Sequence, residues 1–499
     1  MRHFLIWFQQ DTSDQEEKVT YTLSARQTEG GKVSMELVKP QVVPPLDETF
    51  RPAVLANRAF RKKVKASGQG APMVIAVERA DGTRSVYRTE VFAPGSADFE
   101  QNFQYVERIV KFLLWQKGGF RVYLGGPSQI GEYIQQVYSP QGERAFDYDF
   151  MGETVYERPF EVVITDADKV PPANEMTKAL GRHLDGCRIG LDLGASDRKV
   201  SAVIEGKDVF SEEVVWDPRP QTDPHYHYHE IMSALHRAAA RMPRVDAIGV
   251  SSAGVWINNR VMVASLFRGV PRDVFNARAK DIFLRVHKEW GVPLEVANDG
   301  EVTALAGSMS LGVNAILGVA MGSSEAAGYV TPEGNITNWL NELAFAPVDY
   351  APKAPVDEWS GDKGVGALYF SQQAVFRLAP VAGIPLDESL GLAERLKSFQ
   401  DLHAGGDPRT RSVYETIGVY LGYGIAHYAD FYDLQHVLVL GRVTSGEGGH
   451  IILDKAKEVL QVEFPELAQR VQVNLPDEKA RRVGQSIAAA SLPEIKKEG

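Results

Sequence analysis

The sequence predicts an α/β protein with an α+β segment in front of it. From about residue 186 onward, amphipathic helices alternate with short apolar strands, the pattern of a layered sheet that places ligands at its strand ends. Residues 1–185 instead mix short alternating runs with isolated helical stripes. A chain of 499 residues is too long for one simple core. The division is placed at 185, after a Pro-containing linker at Lys169–Asn174.

Composition narrows the function classes. Lys and Arg number 54 against 65 Asp and Glu, a net charge of −11, which argues against general nucleic-acid affinity but leaves room for a local basic cleft. The single cysteine, Cys187, excludes an intramolecular disulfide and any multi-cysteine zinc site. The opening MRHFLIWFQQD carries an apolar run too short for a signal peptide or a membrane span, so no membrane partner and a cytoplasmic location are expected.

In the first 185 residues, alternating segments such as Val19–Leu23 and Pro72–Glu78, with a turn at Ala80–Thr83, predict a hairpin-rich piece over 15–95. The basic run Arg58–Ala66 reads as a solvated face. Ser96–Lys117 is a helix by the spacing of Phe99, Phe103, Val106, Val110, Leu113 and Leu114, with Gly118-Gly119 at its end. A strand at Phe120–Leu124, the turn Gly125-Gly126-Pro127-Ser128 and a helix from Gln129 follow. That turn is either an ordinary βα connection or an anion site at a helix N-terminus.

Beyond 186, strand Ala247–Val250 follows helix Glu230–Arg241, and strand Leu294–Ala297 follows helix Asp273–Trp290. Strand Ile316–Ala320 follows helix Glu301–Ser310, and strand Val437–Leu440 follows helix Val413–Phe431. Four loops stand out. Ile189–Leu191 leads through Asp192 into Gly194 and Ser196, either a plain hairpin or a turn offering N–H groups and a carboxylate to a metal-held phosphate. Gly249–Gly254 is a small-residue turn containing Ser252. Asn298-Asp299 lies between a strand and a helix N-terminus, where a cap alone would explain the asparagine. Met321–Gly328 is a second turn of small and hydroxyl residues, with Gly322, Ser323 and Ser324. His225, His227 and His229 would share one face of an extended segment, as a metal site or simply as a polar entry to the next helix.

In this order and spacing, over about residues 188–490, the loops resemble the ROK family of the sugar kinase and actin superfamily. The resemblance implies a two-lobed actin-like ATPase (ribonuclease H-like) fold. It implies that Asp192, Gly194 and Ser196 form the first phosphate loop, with Asp192 orienting Mg²⁺ directly or through water. Gly322, Ser323 and Ser324 would form the second phosphate loop, Gly441 the nucleotide-side loop, and Ala480–Ala490 the closing helix. Ser252, Gly254, Asn298 and Glu342 would contact the substrate, and Asp299 would be the catalytic base. ATP, Mg²⁺, a small polyhydroxylated substrate and a homodimer are what such a chain implies.

The pattern also breaks. Glu342-Leu343-Ala344-Phe345 stands where the family has Glu-Leu-Gly-His, and Glu358, Ser360 and Val365 stand in its cysteine positions. No structural zinc is therefore expected. Ala367 replaces a sugar-contacting glutamate, which argues against plain glucose, and Arg442 replaces a small residue beside the nucleotide. Two functions follow: a kinase acting on a sugar-like hydroxyl, or a degenerate relative that binds a ligand or nucleotide without turnover.

Overall fold

The computed structural model describes residues 34–175, 177–178, 180–194, 197–475 and 478–495. The Val19–Leu23 segment and Ser196 lie outside them. The N-terminal part is built on β1 (Gly70–Glu78), β2 (Arg84–Phe92), β3 (Arg121–Gly125) and β4 (Glu161–Thr165), in the order β2-β1-β3-β4. The expected hairpin is β1–β2, but residues 53–67 are helical rather than extended. Phe60 and Val64 of that helix are buried, and Gly68 closes it in the left-handed conformation. The basic run therefore lies on a docked helix. Arg58 and Arg61 grip the two carboxylate oxygens of Asp430 at 2.8 and 2.7 Å, which corrects the solvated-face reading for those two residues.

The predicted stripe forms the helix Gln101–Lys117, with Val106, Val110, Leu113 and Leu114 buried. At the Gly125-Gly126 turn the Gly126 N–H is spent on the Thr165 carbonyl, and a Cβ at Gly125 would lie 2.3 Å from Val170. That turn is a packed βα connection.

A short β5 (Thr177–Lys178) leads to the first lobe: β6 (Cys187–Leu193), β7 (Asp197–Ile204), β8 (Lys207–Val215), β9 (Ala247–Ser252), the small hairpin β10 (Val255–Ile257) with β11 (Arg260–Val263), and β12 (Leu294–Asn298). Its sheet runs β12-β9-β6-β7-β8: β6, β7 and β8 form an antiparallel meander, and β9 and β12 run parallel to β6. The second lobe contains β13 (Ile316–Met321), β14 (Glu325–Val330), β15 (Ile336–Thr337), β16 (His436–Leu440) and β17 (Gln472–Asn474), ordered β17-β16-β13-β14-β15-β5. Apart from the added edge strand β5, the two sheets repeat one plan. A central first strand continues into a two-strand antiparallel meander on one side and has two parallel strands on the other. This is the two-lobed, ribonuclease H-like architecture of actin-like ATPases.

The closing helix, Glu478–Ala490, lies directly on the first sheet. A Cβ at Gly190 would fall 1.8 Å from the Ser486 carbonyl and one at Gly249 1.6 Å from that of Ala489, so only glycine permits this approach. One expected helix is broken. Asp273–Trp290 resolves into Arg272–Val274, a π-turn at Phe275–Ala279 and the helix Ile282–Trp290, because the Lys280 N–H bonds back to the Phe275 carbonyl. The three histidines do not share a face. Asp223-Pro224 starts a helix, His225–Ala239, whose rotation turns His227 into the core while His225 and His229 face solvent.

Residues 34–165 do not form a separate core. Trp115 and Phe112 belong to the same hydrophobic cluster as Leu343, Phe345 and Tyr428 of the second lobe, and β5 extends the second lobe's sheet. Packing is continuous across the division read at 185. Among the described residues no helix is long and apolar enough to cross a membrane.

Candidate functional site

The two lobes face each other across a cavity of about 460 Å³. Its walls include Gly254, Asn298 and Asp299 from the first lobe and Gly322, Ser323, Ser324, Glu342 and Gly441 from the second. The strand ends bring these loops together because both sheets direct them into the same cleft, where open α/β sheets place ligands.

Asn298 does two jobs. Its Oδ1 accepts the Gly300 N–H at 2.7 Å and caps the helix Asp299–Leu311, while its Nδ2 donates to the Gly254 carbonyl at 2.8 Å. The cap and the loop-to-loop tie are one device, and it sets Asp299 at the helix N-terminus beside the cavity. The helix start also touches the opposite lobe. A Cβ at Gly328 would lie 2.2 Å from the Gly300 carbonyl, and one at Gly300 would lie 2.5 Å from that of Ala327.

Asp192 ends β6 just behind the cavity lining. Its Oδ1 accepts from Ser251 Oγ at 2.8 Å and from Gln485 Nε2 at 3.4 Å, and Gln485 also donates to Ser251 Oγ at 3.1 Å. Next to it the Gly194 N–H is taken by the Asp197 carbonyl, and the Gly194 carbonyl accepts the Trp216 indole N–H at 2.9 Å. Ser252 departs from the expected role. It is fully buried and its hydroxyl lies off the cavity wall, whereas its neighbour Ser251 holds Asp192.

On the second lobe Gly322 is braced through its carbonyl by the Gln372 N–H, leaving the Ser323 and Ser324 side chains exposed at the cavity. Gly441 lines the cavity; Arg442 does not, and its carbonyl accepts from Gln400. Glu342 is placed by the N-terminal part, since its N–H donates to the Trp115 carbonyl at 2.9 Å.

These carboxyls interact electrostatically. Burial raises Asp192 to about 6, with the Ser251 hydroxyl opposing and the Asp299 charge adding. Asp299 is raised by burial against the Gly300 N–H. Glu342 is raised to about 7, by burial and then by Asp299. Burial also pushes Glu325 to about 8; the Tyr428 hydroxyl, donating to Oε1 at 2.9 Å, works against it and Glu342 adds to it. A carboxylic acid kept neutral near pH 7 can donate a hydrogen bond as well as accept one. Glu325 is 2 % exposed, lines the cavity, and leaves its Oε2 without a partner among the described residues. The sequence reading passed over it. A charged residue in the middle of Gly322–Gly328, a run of small residues, was the available signal.

At the positions where the family resemblance implies zinc ligands, the structure places aromatic rings and ion pairs. Phe345 packs between Trp115 at 4.4 Å and Trp359 at 4.7 Å, ring centre to ring centre, and Phe150 closes the stack against both tryptophans. Val365 is buried, and Ser360 donates its N–H and hydroxyl to Asp357. Asp362 of the same loop meets Arg108 at 3.1 Å, Arg144 at 2.9 Å and Lys111 at 3.2 Å, all from the N-terminal part. Those cations hold its carboxyl well below the usual range, overcoming the opposing effect of burial. Trp115 and Phe150 thus form cavity wall. Sequence reasoning assigned the N-terminal part no such role.

No protein-family model and no curated protein matches the sequence. Among solved structures the chain is similar to a ROK family glucokinase from Streptomyces griseus in complex with glucose and AMPPNP, at 19% identity over 61% of this chain and 98% of that one, with a TM-score of 0.45. A ROK hexokinase from Thermus thermophilus gives 17% identity over 61% and 97% of the two chains, with a TM-score of 0.48. A ROK family transcriptional regulator, a homolog of the E. coli MLC protein, gives 18% over 62% and 79%, with a TM-score of 0.49. In structure, as in the loops of its sequence, the chain is similar to ROK family proteins, kinases and a regulator among them.

Proposed function

We propose that this protein transfers the γ-phosphoryl group of ATP to a hydroxyl of a sugar-like small molecule, with Asp299 as the base. The observation that carries the reading is the placement of Asp299. It is a half-buried carboxyl, raised above its ordinary value by burial, in the wall of a cavity that the Gly322–Ser324 turn of the other lobe also lines. A hydroxyl bound between them would give its proton to Asp299 as it attacked in line, and a base raised toward the working pH serves that transfer best. Asn298 holds Asp299 in place, and Ser323 and Ser324 offer N–H and hydroxyl donors to phosphate oxygens on a turn that Gly322 closes by donating its own N–H to the Ser324 carbonyl. Mg²⁺ usually takes one or two carboxylates, with water and phosphate completing its shell, and Asp192 is a carboxylate of the kind required. Bound there, the ion would neutralise charge on the transferring phosphoryl group.

A second reading, a ligand or nucleotide binder without turnover, is favoured by Glu325, whose carboxyl stands in the very turn assigned to phosphate. One experiment separates them. ADP release is followed over neutral sugars, polyols and sugar acids, with calorimetry of Mg·ATP alongside. Turnover by the wild-type chain, lost by a factor of about 10² or more in Asp299→Asn while Mg·ATP binding persists, supports the kinase. Turnover unchanged in that variant removes Asp299 from the role of base. Binding without turnover across the whole panel leaves the second reading.

A further inference from the structure

The first-lobe wall of the cavity carries two arginines that the reaction above does not use, Arg219 and Arg268. Their neighbourhood is unusual for guanidinium groups. Arg219 Nε is buried and has no hydrogen-bond partner among the described residues. Arg268 is held below the ordinary guanidinium range by burial and then by the charge of Arg219, and no carboxylate charge offsets either effect. Of the cavity's acidic side chains, Asp299 shares the first lobe with the arginines and Glu325, Glu342, Asp357 and Glu358 come from the opposite lobe; among the described residues none forms an ion pair with either arginine. A guanidinium does not escape such a position by shedding its proton. Two of them side by side in one cavity call for an anion.

The two segments that carry them are fixed to each other. His227 is fully buried, and its Nε2–H is shared between the Pro218 carbonyl at 3.1 Å and the Leu266 carbonyl at 2.8 Å. Its ring stacks on Phe267 at 4.5 Å. A Cβ at Gly269 would lie 2.6 Å from the Arg219 carbonyl, so the two backbones touch. The Trp216 indole ties the first segment to Gly194. Like charges are thus held together by packing and hydrogen bonds, the arrangement of a preorganised site. Gly254, Ala264 and Ser265 continue the wall from Arg268 toward Asn298 and Asp299. The turn assigned to the nucleotide phosphates lies on the other lobe.

We infer that Arg219 and Arg268 form an anion subsite for the phosphoryl acceptor, so that the acceptor is an acidic polyol, a sugar carboxylate or a sugar phosphate. Paired guanidiniums suit the two oxygens of a carboxylate or phosphate through charge-assisted hydrogen bonds. The inference rests on the kinase reading for the acceptor's role, while the anion subsite is testable without turnover.

The test is calorimetry on the full chain with matched pairs, D-gluconate against D-glucitol and D-glucuronate against D-glucose, with D-glucose 6-phosphate as the phosphate arm. The expected result is that an acidic compound binds about tenfold or more tightly than its neutral counterpart, and that Arg219→Gln and Arg268→Gln each remove about tenfold of that preference while Mg·ATP affinity stays unchanged. A preference confined to the carboxylates, or to the sugar phosphate, says which anion the pair takes. Equal or tighter binding of the neutral partners overturns the inference. So does a loss of Mg·ATP affinity in both variants with polyol affinities untouched, which assigns the guanidiniums to the nucleotide. If Mg·ATP fails to bind while an acidic polyol binds in an arginine-dependent way, the phosphotransfer reading falls and the anion subsite stands.

Discussion

Replacing Glu325 by glutamine should flatten the fall in stability between about pH 5 and about pH 8. The carboxyl is buried at 2 % exposure, has one donor, Tyr428, and sits at about 8 against an ordinary value of 4.5. Because the folded state binds this proton more tightly than the unfolded state, its stabilising contribution is complete below the unfolded pKa. It is lost as pH rises through the folded one. The full displacement corresponds to about 5 kcal/mol at 1.36 kcal/mol per pH unit, and about 2 kcal/mol remains if water reaches the cavity side of the group. Glu325→Gln keeps the shape and the acceptor for Tyr428 but has no proton to lose. Denaturant unfolding of both proteins between about pH 5 and about pH 9, followed by tryptophan fluorescence, should show the wild type losing about 2–4 kcal/mol more than the variant. Glu342, raised to about 7 and acting on Glu325, should give a smaller and non-additive effect in Glu342→Gln. Parallel profiles for wild type and Glu325→Gln would refute the reasoning, because they would mean that the carboxyl is solvated or already paired.

Two further substitutions probe how the site is held. Asp362→Asn leaves Arg108, Arg144 and Lys111 facing one anion fewer in a buried cluster and should cost about 3–5 kcal/mol by denaturant unfolding. A loss below about 1 kcal/mol would show the cluster to be hydrated. Gly249→Ala puts a methyl 1.6 Å from the Ala489 carbonyl, so the closing helix must lift. The expected cost is about 1–3 kcal/mol, together with a weaker Mg·ATP heat signal, since Gln485 of that helix holds Asp192 and Ser251. Unchanged stability would mean that the helix can slide.

What the sequence revealed about this molecule divides by distance along the chain. The hairpin at Asp192, the helix ending at Lys117 and the cap at Asn298 are each written within a few consecutive residues, in glycine positions, apolar spacing and a capping side chain. The two-lobed fold came from the family resemblance of the ordered loops rather than from any single motif, and the strand order of each sheet was not legible in the sequence. The histidine segment misled because alternation was read without the helix start that Asp223-Pro224 provides. Arg58 and Arg61 misled because their partner, Asp430, lies more than 350 residues on, at separations of 372 and 369. The most consequential gap is of the same kind. The absence of histidine and cysteine at Phe345, Glu358, Ser360 and Val365 was visible as a loss, but what stands in their place was not. Arg108 and Arg144 reach Asp362 over 254 and 218 residues, and no local pattern signals an ion pair at that range. The same holds for Trp115, whose ring meets Phe345 and whose carbonyl fixes Glu342. The N-terminal part therefore supports the Glu342 wall of the cavity through one aromatic stack and one buried charge cluster. If that support is what fixes Glu342, Asp362→Asn should perturb acceptor binding more than Mg·ATP binding, because Gly322 and Gly441, the residues proposed for the nucleotide, make none of these contacts.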